Sequence, residues 1–157
     1  MDLSAERRYA EEAGVVLAGM GMPQAYGKLL GWLLICTPAA QSGAELVAAL
    51  GLSKGSVSAG LRNLEAGGLV RRVAMPGRRG SFYEMIPDAI MRAAGSEKFT
   101  LFRQLMDRGL DVVGGEDAPG AERLRVTRDF YAFIETEMPK LIQRFQDEQT
   151  GRTERTE

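Results

Sequence analysis

Residues 42–58, Ser42-Gly43-Ala44-Glu45-Leu46-Val47-Ala48-Ala49-Leu50-Gly51-Leu52-Ser53-Lys54-Gly55-Ser56-Val57-Ser58, contain two helix starts and one helix stop. Ser42 and Glu45 form the S-x-x-E pattern in which a hydroxyl and a carboxylate each accept the exposed backbone amide of the other. Gly51 can take the positive φ that ends the first helix. Ser53 then caps a second helix, expected from about Lys54 to Ala66 and ended by Gly67-Gly68. In that helix Val57, Leu61 and Leu64 fall at i, i+4 and i+7, which makes one inward face. Gly55, Ser56, Ser58, Ala59, Arg62 and Asn63 are left outward. A solvated surface helix is usually dense in Glu and Lys. Small residues with one Arg and one Asn suit a helix pressed against something flat and anionic, as in the DNA major groove.

Downstream, Leu69 to Met75 and Ser81 to Ile86 read as two strands joined by the loop Pro76-Gly77-Arg78-Arg79-Gly80. Two capped helices, a three-residue turn and a basic hairpin follow the order of a winged helix-turn-helix. Upstream, residues 3–18 carry Leu3, Tyr9, Ala13, Val16 and Leu17 near helical spacing, and Gly19-Met20-Gly21 ends them. Pro23 opens another helix as a first-turn residue, running through Leu29, Leu30, Leu33 and Leu34 to Thr37-Pro38. After Pro87, Phe99, Phe102, Met106, Leu110 and Val113 form an apolar stripe closed by Gly114-Gly115. In the last segment Leu124, Thr127, Tyr131, Ile134, Met138, Leu141 and Phe145 are spaced alternately by three and four, a heptad seam. Pro139 lies inside it and predicts a kink or a restart. The predicted fold is mainly α with a small β-hairpin wing. Its divisions are an N-terminal helix (1–20), the winged helix-turn-helix (21–86), C-terminal helices (87–149) and a polar, frayed tail (150–157).

Composition narrows the chemistry. The 157 residues are 45% hydrophobic and 26% charged, which is globular composition. They contain no His and one Cys. The chain therefore lacks the parts for a Ser-His-Asp triad, an imidazole metal ligand, an intrachain disulfide or a four-thiolate zinc site. Glu11 and Glu12 are adjacent, so on a helix they point about 100° apart and cannot share a substrate. No enzyme, cofactor or metal is expected, and Cys36 reads as a small buried hydrophobe. The start of the chain has mixed charge and no apolar signal core, and the longest apolar run is Leu29 to Cys36. That is far short of the roughly 20 residues that span a bilayer, so a cytoplasmic protein without a membrane partner is expected.

The net charge of −1 conceals an uneven distribution. Residues 42–85 carry six basic and three acidic groups, whereas 116–157 carry seven and ten. Within 53–80, Lys54, Arg62, Arg71, Arg72, Arg78 and Arg79 face only Glu65. A basic region of this kind is a polyanion-binding candidate. Ser53, Ser56 and the free amides at the helix start can bind phosphate, helped by the helix dipole, and Lys54 adds a point charge. Arg62 and Asn63 have the reach to read base edges, and Ser58 can do either. Arg78 and Arg79 at the wing tip can enter a minor groove or clamp phosphate.

The run from Glu45 to Ser58, with Leu61-Arg62-Asn63-Leu64-Glu65 and Gly68-Leu69-Val70-Arg71-Arg72, resembles the DNA-binding region of MarR-type transcriptional regulators. Gly21-Met22-Pro23-Gln24-Ala25-Tyr26-Gly27-Lys28-Leu29-Leu30-Gly31 and the Pro76-Gly77-Arg78-Arg79 wing make it most similar to the GbsR-like branch. Close similarity covers about 21–86. Val47 departs from the pattern, which more often has Ala there. The resemblance implies a homodimeric bacterial regulator of double-stranded DNA whose terminal helices pair, with affinity often modulated by a small molecule. Apart from the resemblance, the apolar stripes outside the winged region need a cover, for which a second subunit is the economical answer and an antiparallel hairpin within the chain the alternative. Tyr9, Tyr26, Trp32, Phe99 and Phe102 are candidates to line an effector pocket. The alternative function is a winged-helix module that binds protein and no nucleic acid.

Overall fold

The computed structural model describes residues 3–95 and 97–153. They form two compact units that divide between Ala89 and Ile90. The first holds α1 (Leu3–Gly19), α2 (Gln24–Ile35), β1 (Gln41–Ser42), α3 (Gly43–Leu50), α4 (Lys54–Ala66), β2 (Val70–Val73) and β3 (Phe82–Met85). Helix α5 (Ala89–Ala94) begins at its end, and α6 (Lys98–Val113) and α7 (Ala121–Thr153) make up the rest of the second unit. Of the stretches read from sequence, residues 1, 2, 96 and 154–157 lie outside the described residues.

Local chemistry builds α3 and α4 as expected. Glu45 N donates to Ser42 Oγ at 3.1 Å and Ser42 N donates to Glu45 Oε2 at 2.7 Å, which completes the capping box. Gly51 ends α3 at φ 64°, left-handed backbone that favours glycine. Ser53 Oγ accepts Ser56 N at 3.1 Å. Val57, Leu61 and Leu64 are buried, packed with Leu46 of α3, Leu29, Leu30 and Leu33 of α2, and Val70 of β2. Pro23 stands one position before its expected place, as the residue that precedes α2.

The hairpin is part of a three-stranded antiparallel sheet in the order β1-β3-β2. β3 pairs with β2 in the register Arg71↔Glu84 and Val73↔Phe82, and with β1 through Gln41↔Tyr83 and Ser42↔Phe82. The two-residue β1 is absent from the sequence reading because a strand of that length carries no periodicity. Its partner comes from forty residues away.

Helix α1 lies on α2 through small residues. A Cβ on Gly31 would stand 2.4 Å from Ala13 Cβ, and one on Gly27 would stand 3.0 Å from Gly14 Cα. Lys28 Nζ pairs with Glu11 at 2.7 Å beside this crossing. The N-terminal helix therefore belongs to the winged unit in packing. Gly31→Ala should destabilise the protein by about 2 kcal/mol, because Ala13 Cβ is fixed to its own backbone and cannot swing aside. Gly19→Ala is the control, since nothing lies within 4 Å of a Cβ there. Urea midpoints that moved equally for both would refute the tight crossing.

Cys36 is buried, and its Sγ lies 3.5 Å from the Ala39 carbonyl oxygen. Burial pushes its thiol from an ordinary value near 9 up to about 11, opposed by a backbone hydrogen bond and reinforced by the nearby Glu6 and Glu45 carboxylates. A thiol whose pKa rises on folding contributes stability that is complete below the unfolded pKa. That contribution is lost as pH rises from about 9 through 11. At pH 8 alkylation should run about a hundredfold slower in the native than in the unfolded protein, since the thiolate is the nucleophile. Equal rates would refute the buried thiol.

In the second unit α6 and α7 form an antiparallel hairpin. A Cβ on Gly109 would stand 2.9 Å from Leu124 Cδ2, and the Phe102 ring stacks on Tyr131 at 5.1 Å. Glu135 accepts from Thr100 Oγ1 and from Arg103 Nε, both at 2.6 Å, and these two contacts hold its carboxyl below the usual range. The first half of the seam is thus covered within the chain. Leu124, Thr127, Tyr131, Ile134 and Met138 are half-buried, while Leu141 and Phe145 are exposed. The apolar residues left exposed run partly along other lines: Val126, Phe130 and Phe133 on α7, and Leu101, Leu105 and Val112 on α6. Helix α7 continues through Pro139 without a restart. It extends three residues beyond Thr150, whose hydroxyl, like that of Thr153, bonds back to the carbonyl four residues earlier.

Candidate nucleic-acid interface

Helix α4 presents the residues read from sequence as its outer face. Lys54, Gly55, Ser58, Arg62 and Asn63 are exposed, and Ser56 and Ala59 are half-buried. Lys54, Ser58 and Arg62 follow one another at four-residue steps, and Arg62 Nη1 donates to Ser58 Oγ at 3.1 Å. That bond orients the guanidinium along the helix surface. Ser53 is occupied as a cap: besides accepting Ser56 N, its hydroxyl donates to Ser56 Oγ at 3.0 Å. The backbone amides at the start of α4 and the Lys54 ammonium are the remaining anion donors there.

The basic cluster divides once the side chains are placed. Arg71 pairs with Glu84 at 2.7 Å across the β2–β3 register. Arg72 reaches Glu65 at 3.6 Å and lies over the Tyr83 ring at 5.4 Å. Arg78 pairs with Glu45 at 2.8 Å and lies 4.5 Å from the centre of the Phe82 ring. Lys54, Arg62 and Arg79 have no ion-pair partner among the described residues. All three are sequence-derived candidates. Glu45 and Glu84 lie outside residues 53–80, so a charge count over that stretch sets only Glu65 against the six cations.

Glu45 therefore has two duties. Its carboxyl is held below the usual range, first by the Ser42 backbone N–H and then by Arg78. A carboxyl with a lowered pKa contributes stability that is present above its unfolded pKa and lost as pH falls through the folded value. Between α3, α4 and β3 lies a pocket of about 350 Å³ lined by Val47, Lys54, Ser58, Leu61, Ser81 and Tyr83, among others. Val47, the departure noted in sequence, is one of its walls. The aromatics considered for a pocket are engaged in packing. Trp32 is buried, Tyr26 lies against Gly60, and Phe99 and Phe102 lie against Tyr131, although Phe102, like Tyr9, stays exposed over nearly half its surface. No cluster of three metal-ligating residues occurs among the described residues. No helix among them is long and apolar enough to cross a membrane.

Residues 21–79 match the MarR family model, and residues 88–148 match the model of MmpR5-like MarR family transcriptional regulators. The HTH-type transcriptional regulator MmpR5 of Mycobacterium tuberculosis (strain ATCC 25618 / H37Rv) is 32% identical over 147 residues, covering 91% of this chain and 87% of that protein. The chain belongs to the MarR family of transcriptional regulators. A crystal structure of a transcriptional regulator also superposes with a TM-score of 0.79 at 31% identity, covering 91% of this chain and 99% of the other. The likeness to these proteins extends well past the winged region. The C-terminal match takes in the α6–α7 hairpin, where the sequence reading found helical character without a motif.

Proposed function

We propose that this MarR-family chain is a cytoplasmic, homodimeric, sequence-specific DNA-binding regulator, with α4 in the major groove and the 76–80 wing at the minor groove or phosphates. The observation that carries the reading is the distribution of unpaired charge. Three of the six cations in the basic stretch lack a carboxylate partner among the described residues, and two of them, Lys54 and Arg62, stand on the small-residue face of α4. Lys54, Ser56 and the first amides of α4 would approach phosphate, with Ser53 as the cap beside them. Ser58, Arg62 and Asn63 would approach base edges, and Arg79 with Arg78 would serve the wing. The exposed rows Val126, Phe130, Phe133 and Leu101, Leu105 support a second copy as their cover. Ligand modulation, implied by the family resemblance, has a candidate location in the pocket beside Lys54 and Ser58, where an occupant would take both from DNA. A GbsR-like affiliation rests on the residues of 21–31 and the wing.

Retention of promoter DNA across a salt series tests this reading. If each protomer neutralises about four phosphates, log affinity should fall with log salt at a slope of roughly −7. Protection of two half-sites about one helical turn apart would accompany it. Absence of binding at low salt, or binding indifferent to salt, would sink the proposal.

A further inference from the structure

We propose that Arg78 is a positioning residue that clamps the wing to α3 through Glu45, so that Arg79 is the wing arginine presented to DNA; this rests on the DNA-binding reading above. The wing tip has little stiffness of its own. Arg78 and Arg79 stand between Gly77 at φ 74° and Gly80 at φ 102°, backbone that glycine adopts freely. Arg78 N donates to the Met75 carbonyl at 3.1 Å, which closes a turn within the tip, and what ties that turn to α3 is a contact spanning 33 positions. Arg78 Nη2 donates to Glu45 Oε1 at 2.8 Å, while its guanidinium covers the Phe82 ring. Both ends of the contact are themselves fixed. Glu45 Oε2 accepts the Ser42 amide at 2.7 Å, so the carboxylate is tied to the start of α3. Phe82 is 1% exposed in the central strand. A guanidinium held by a carboxylate and an aromatic face has its charge neutralised and its donors partly used, which makes it a poor phosphate ligand. Arg79, one residue on, is exposed as Arg78 is, but unlike Arg78 it has no ion pair among the described residues.

Glu45→Gln separates the two roles that Arg78 could have. Glutamine at this position still completes a capping box, so α3 keeps its start, but the ion pair is lost. If Arg78 is a clamp, E45Q should weaken DNA binding about fivefold, the scale of an exposed ion pair, although the protein has become more positive. Arg78→Gln should weaken binding similarly, and the double variant E45Q/R78Q should be no worse than either, because both break one contact. Trypsin cleavage after Arg79 in the absence of DNA should run several-fold faster in E45Q, with each protein assayed at the same interval below its own melting temperature. Tighter DNA binding by E45Q, with the full loss from R78Q persisting in the E45Q background, would make Arg78 a direct contact and overturn the clamp. Unchanged trypsin cleavage would overturn it too. A wild-type protein that retains no DNA would overturn the DNA-binding reading instead, and the trypsin comparison would still decide whether the pair holds the wing.

Discussion

Phe82→Ala should lower the unfolding free energy by about 3–5 kcal/mol, a large share of the stability of a domain this size. Phe82 is the largest of the fully buried side chains and sits in the central strand, opposite Ser42 on one side and Val73 on the other. Truncation removes apolar area from the interior and leaves a cavity that the sheet cannot close, since β3 is hydrogen-bonded along both edges. It also removes the surface beneath Arg78. Phe82→Leu, which keeps most of the volume, should recover most of the loss. Urea denaturation followed by circular dichroism measures both, and a loss below about 1 kcal/mol for the alanine variant would mean that β3 does not anchor the wing.

Arg62→Ala combined with Arg79→Ala should weaken specific DNA binding by about a hundredfold to a thousandfold. The base-edge contact contributes about 1–3 kcal/mol, the wing contact adds to it, and the two sites are separate enough to be nearly additive. The contribution of Arg62 should also be specific. Its loss relaxes discrimination at one base position, whereas Lys54→Ala should weaken all sequences alike and reduce the salt slope by about one. Arg71→Ala is the informative control. Arg71 is as basic as Arg62 in the sequence, but it is spent on Glu84 at 2.7 Å, so its removal should change affinity less than about twofold. Fluorescence anisotropy with operator and scrambled duplexes resolves the cases. Equal losses for Arg71→Ala and Arg62→Ala would mean that charge alone, and no particular arrangement of it, drives retention.

That contrast shows where the sequence stops being sufficient. The starts of α3 and α4, the Gly51 turn and the inward Val57, Leu61, Leu64 face were legible because each depends on contacts within four residues. The outer face of α4 was legible for the same reason, since it is what the inward stripe leaves over. The seam along α7 was visible too, but what covers it was not. Periodicity reports that a face is apolar without saying what meets it, and here Gly109 and Phe102 of α6 meet it at Leu124 and Tyr131.

The sequence by itself determined the winged helix-turn-helix, the helices before it and the outward face of α4 from which the proposed DNA contacts are drawn. Caps, turns and helical stripes are decided by neighbours along the chain. Only the tertiary structure decided which cations of the basic stretch remain uncommitted, that Gln41–Ser42 joins the sheet, and that α6 lies along α7. Those outcomes turn on pairs such as Glu45 with Arg78 and Arg103 with Glu135, more than thirty residues apart. A charge count treats every arginine alike. Whether a given guanidinium is free depends on where the folded backbone brings a carboxylate, and among the described residues that leaves Lys54, Arg62 and Arg79 without an ion-pair partner in the 53–80 stretch.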